Sequence, residues 1–200
     1  MWHVWEKFRW IIAITVATSP GSAHACRMLV SPQLEDVNYA DVVVIGRVNN
    51  YRIIRDEAFR KRMLEIPNLS AQMRKTYEDP EQGLLSDYAR FDIRVERVLV
   101  GEASTELSVT WDNSTFEEPD QMSAGDYLIA LRRPNSANPP LRGPSATILP
   151  SPDANALTLL QAPCSRAFIY DTESDEAQTI RKILDSRRST DNRRIQRNGP

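Results

Sequence analysis

The chain has 200 residues, with 25 Lys and Arg against 27 Asp and Glu and a formal net charge of −2. That length suits one domain with a real core, and the slightly acidic balance excludes a protein that gathers nucleic acid by charge alone. Arginine outnumbers lysine by 21 to 4, a compositional trait of GC-rich bacterial genomes. At the start, Lys7 and Arg9 precede the apolar run Ile11–Ala17, and Ala23–His24–Ala25 follows with the small–x–small pattern of a signal-peptidase site. Residues 1–25 therefore read as a signal peptide. The run is shorter than the roughly 20 apolar residues a spanning helix needs, so no stable membrane span is expected after cleavage, and the location is periplasmic or extracellular. Cleavage after Ala25 discards both histidines, His3 and His24, and leaves a mature chain that begins with Cys26 and keeps both cysteines, Cys26 and Cys164. Lipidation of Cys26 is the alternative, although Ala23 stands where a lipidated cysteine has a large aliphatic residue three positions earlier.

Ser31–Pro32 reads as a helix N-cap followed by proline in the first turn, with Leu34, Val37 and Tyr39 facing inward. Residues 41–54 follow as a strand, where Val42–Ile45 is a continuous apolar run and Gly46 marks a bulge or sharp bend. A charged insert spans 55–86. Its Phe59, Met63 and Ile66, then Leu69, Met73 and Tyr77, recur at helical spacing and predict two amphipathic helices broken near Pro67. Period-two alternation then predicts strands over 90–100, 105–111 and 126–132. The last of these is apolar on both faces and so central. Residues 134–153 form a proline-bearing loop with one edge piece at 146–149, and 156–161 a short final strand. Residues 172–187 make a helix with acids first and bases last, as its dipole favours, and 189–200 a polar, disordered tail.

Sequential strands without regular strand–helix alternation point to a β-rich fold, a five- to six-stranded Greek-key barrel with a helical insert and a C-terminal helix. A β-sandwich is the alternative. Cys26 and Cys164 are the candidate disulfide, tying the front of the mature domain to the start of its last helix; two buried free thiols are the other reading.

Cys26, the stretches Tyr39–Val48 and Phe91–Gly101, the turn and strand Gly125–Ile129 and Cys164–Ser165–Arg166 together resemble the netrin-module and tissue-inhibitor-of-metalloproteinases superfamily, its bacterial members included. The likeness covers most of 26–185 and implies an OB-like barrel, placing the domain at 26–188. In those inhibitors a free N-terminal cysteine chelates the target's zinc through its amine and carbonyl, which makes Cys26 and Arg27 a possible inhibitory N-terminus. The inhibitors carry Cys–x–Cys there, whereas this chain reads Cys26–Arg27–Met28.

A mature chain without histidine has no Ser–His–Asp or Cys–His arrangement, and no glycine-rich phosphate loop occurs. No catalytic residue, metal ligand or cofactor is assigned. The leading functional expectation is an exported, non-catalytic interaction module that binds a protein or cell-envelope ligand through its loops or the 55–86 insert. A zinc-peptidase inhibitor and a hydrolase using acids such as Glu117 and Asp120 are the alternatives. Trp111 with Tyr127 is a candidate aromatic ligand face, although Trp111 lies in phase with the apolar Leu107 and Val109 and also reads as core.

Overall fold

The computed structural model describes residues 30–84, 86–112, 119–142 and 153–197, the last seven as backbone only. The expected signal peptide, Cys26, Arg27 and the expected edge piece at 146–149 lie outside the described residues. The run Val42–Ile45 opens strand β1 (Val42–Ile54) and is buried because this half of the strand pairs on both sides, with β2 (Tyr88–Val100) and β4 (Asp126–Arg132). Gly46 sits at a register shift against β2, where an added Cβ would stand 2.4 Å from the Arg94 carbonyl oxygen, so only hydrogen fits. After Arg47 the β4 partner ends, and β1 continues with β2 alone to the pair Ile54–Tyr88. Arg47 faces Arg94 across the ladder, and its own charge is met by Asp126 at 2.7 Å and Glu96 at 3.5 Å.

Strand β3 (Glu106–Asp112) pairs antiparallel with β2 and parallel with β5 (Leu157–Leu159), β5 pairs antiparallel with β4, and β4 returns to β1. A sixth strand, β6 (Ile169–Asp171), adds to β4 on its other side. The result is one mixed six-stranded sheet that partly closes into a ring, and not the two packed sheets of a sandwich. Sequence alternation sets its two faces. Val42, Val44, Phe91, Ile93, Val109, Trp111, Ile129 and Leu131 form the inner cluster. Val43, Leu128, Ala130, Leu160 and Phe168 form the outer one with Ala177, Ile180 and Leu184 of helix α3 (Asp175–Arg197). The expectation that 126–132 is central and apolar on both faces holds, because β4 contributes to both clusters.

At the N-terminal side a 3-10 turn, Leu34–Tyr39, starts two residues later than Pro32 suggested, capped at Gln33. It buries Val37 against the outer cluster, whereas Tyr39 is 41% exposed and does not face inward. Helix α3 begins where Ser174 Oγ accepts the Ala177 amide at 3.2 Å. It runs to Arg197, well past Arg187, so the polar tail expected from Ser189 is helical through Arg197. The apolar stripe ends at Leu184, but Arg187 and Arg188 donate to the carbonyls of Asn38 and Leu99 and carry the helix onward.

Candidate functional site

Three strand ends meet at one edge of the sheet. Ile54 closes β1 opposite Tyr88, the first residue of β2, and Tyr88 in turn faces Asp112 at the end of β3. The insert leaves and re-enters the sheet here, and the Tyr51 hydroxyl donates to the Pro119 carbonyl at 2.6 Å, bringing Pro119 to the same edge.

The insert folds as the two expected helices, α1 (Glu57–Leu64) and α2 (Ala71–Glu78). Asp56 caps α1 by accepting the Phe59 amide at 2.8 Å, and Ser70 caps α2 by accepting that of Met73 at 3.2 Å. Asn68, in the left-handed region at φ 63°, makes the turn after Pro67. The helices pack on each other through Phe59 and Tyr77, whose rings meet edge-on at 6.1 Å. No described residue of the insert enters either core cluster, and Ile66 and Met73 are 42% and 43% exposed.

A polar knot holds this hairpin to the sheet. Arg60 Nη2 lies 2.7 Å from Asp87 Oδ2 and donates also to the Gln82 carbonyl at 2.9 Å, with side chains only 6% and 3% exposed. Asp87 further accepts the amides of Asp56 (2.9 Å) and Leu84 (2.8 Å), so one carboxylate ties together the entry, the first helix and the exit of the insert. Carboxylate acceptance of two amides and a guanidinium makes each bond charge-assisted.

Asp112 is the second polar feature of this edge. Burial pushes its carboxyl up to about 7, and its Oδ1 has no hydrogen-bond partner. Such a group exchanges a proton near neutrality. Chemistry of the two-carboxylate kind needs a second acid; of the two named from the sequence, Glu117 lies outside the described residues and Asp120 is exposed. Among the described residues no group of three or more His, Cys, Asp and Glu side chains is placed to hold a metal.

The aromatic candidates separate. Trp111 is 7% exposed and packs in the inner cluster, the core reading of the two the sequence left open. Tyr127 is half-buried against the same cluster and donates to the Ser123 carbonyl at 2.8 Å.

Towards the opposite end of β1 lies a groove of about 500 Å³ between Val30, Tyr39, Pro139, Leu141, Arg142 and Pro163. The Val30 amide donates to the Cys164 carbonyl at 2.9 Å, so the residue four positions after Cys26 lies beside buried Cys164, which has φ 65°. No free cysteine occurs among the described residues. No helix of the described residues is long and apolar enough to cross a membrane.

No family model matches the chain, and no curated protein resembles it closely enough to count as a relative.

The knot and Asp112 were not legible beforehand. Arg60 and Asp87 are 27 residues apart and sit among many charges of both signs. Helix α1 carries Arg60 and Arg62, each beside an apolar residue, and no local signal separates the buried one from the exposed one.

Proposed function

We propose that the chain is an exported, non-catalytic interaction module: an OB-like five-stranded barrel that docks a protein partner through the α1–α2 hairpin. The barrel reading draws on the pairing sequence β1–β2–β3–β5–β4–β1 with its single parallel pair, β3–β5. The docking reading is carried by one observation. The hairpin is fixed to the rim by a buried charged knot, yet it holds Ile66 and Met73 out in water, two of the five large hydrophobic residues exposed among those described. Scattered exposed apolar residues are ordinary; two on one anchored projection offer about 25 cal/mol for each Å² a partner covers. Export rests on the leader pattern of residues 1–25, and a Cys26–Cys164 bridge would lock the front of the mature chain to the segment before β6.

The test uses the chain with its native leader, recovered from the envelope of the expressing cell. Ile66→Glu with Met73→Glu is expected to abolish co-purification of the partner that wild type retains. The melting temperature should stay within about 2 °C, since exposed positions of this kind change stability by roughly 0.5 kcal/mol or less. Undiminished recovery by the double variant would contradict the reading. Deleting 55–86 is the poorer experiment, because it strips buried Asp87 of its cation and two amides.

A further inference from the structure

We infer that the α1–α2 hairpin is a hinged arm that leaves and returns to the sheet edge as one unit, with Arg60 and Asp87 as its latch. The inference stands on the latch alone, whether or not the arm docks a protein.

Burial does not hold the arm down. Of the sixteen residues in its two helices only Arg60 is buried, and the ring contact of Phe59 with Tyr77 is internal to the hairpin and travels with it. Local opening costs little where few apolar contacts cross to the rest of the structure. What crosses is polar and converges on Asp87: the Asp56 amide at the entry, the Arg60 guanidinium and the Leu84 amide at the exit.

A buried ion pair is a poor source of net stability, because desolvation offsets its attraction, but it is costly to half-break. Arg60 also keeps Nε and Nη1 buried without partners, which reduces the gain from closing. These terms make intermediate positions unfavourable and leave two states close in free energy: both charges in and paired, or both out and hydrated. The chain has the joints for such a motion. Gly83 stands in open space in the exit segment, with nothing within 4 Å of its would-be Cβ. Asp56 caps α1 through its own side chain, so the helix keeps its cap when the Asp56 amide lets go of Asp87.

Hydrogen exchange by NMR on the full chain reads the latch directly, because the Asp56 and Leu84 amides are protected by Asp87. Both are expected to exchange with one common opening constant, about 100-fold or more above that of the Val44 and Leu128 amides in the strands. Little denaturant dependence should accompany it, since little surface is exposed. Asp87→Asn should speed the two amides by a further factor of about 10 and the strand amides, which exchange through global unfolding, by no more than that same factor. If the variant does not fold, the wild-type comparison decides. Latch amides that exchange as slowly as the strands, with the strands' denaturant dependence, overturn the inference, as does an Asp87→Asn protein that folds and leaves them unaffected.

Discussion

Asp112→Asn is expected to be more stable than wild type at pH 8 and nearly equal to it at pH 4. The unfolded carboxyl ionises around its ordinary value of 3.8, whereas burial holds the folded one near 7. Below pH 4 both states bind the proton and no difference arises. Between about 4 and 7 the unfolded chain loses its proton first, so the native state binds more protons and stability falls as pH rises. Above 7 the loss is complete and flat. Three pH units at about 1.4 kcal/mol each set a ceiling of about 4 kcal/mol, or on the order of 10 °C in melting temperature. Asparagine keeps the shape and removes the charge, so the gap between variant and wild type should open across that window. A gap that does not change with pH would contradict this assignment.

Gly46→Ala is the other large effect. The new methyl group would meet backbone of the neighbouring strand, the Arg94 carbonyl oxygen at 2.4 Å and its carbon at 3.2 Å, together with Ile93 Cγ2 at 2.9 Å. Backbone in a ladder paired on both sides cannot retreat as a flexible side chain does. The expected cost is about 3 kcal/mol, at the upper end for overpacking, and a melting temperature lower by on the order of 10 °C. Gly83→Ala is the control, since its Cβ meets nothing within 4 Å; thermal unfolding should place it with wild type. Equal melting temperatures for the two variants would contradict the close approach of β1 and β2.

The parts of this fold that were legible in the sequence are those where local chemistry and tertiary position coincide. Phe91 and Ile93 alternate with Asp92 and Arg94 because one face of β2 is core and the other water. Leu128 and Ala130 join Ile129 and Leu131 because β4 has core on both sides. Gly46 and Pro67 lie at the bend and the break, each a position whose backbone geometry selects the residue. Elsewhere the pattern was silent. Strand β6 has three residues, too few to alternate. Helix α3 outruns its apolar stripe because Arg187 and Arg188 find carbonyls on the 3-10 turn and β2, partners far away in the chain.

The candidate site was legible as an insert and not as a mechanism. Spacing of Phe59, Met63 and Ile66, then of Leu69, Met73 and Tyr77, announces two helices, but not that Ile66 and Met73 of that same pattern stay exposed. Whether Arg60 is a solvated surface charge or the core of a latch depends on Asp87, on the other side of both helices. Asp112 looks like any acid at a strand end; only its burial in the fold shifts its proton affinity. Trp111 illustrates the converse, since its phase with Leu107 and Val109 offered the core reading beside the ligand-face one, and the structure takes the former.

Photo-crosslinking in the exporting cell tests the docking role of the hairpin most directly. A photoreactive residue placed singly at 66 or 73 reports from the arm, and one at 94 or 185 from exposed positions on the sheet and on α3. Discrete adducts with one protein from 66 and 73, and none from 94 and 185, are the predicted result. Adducts that arise equally from all four positions, or only from 94 and 185, would contradict it.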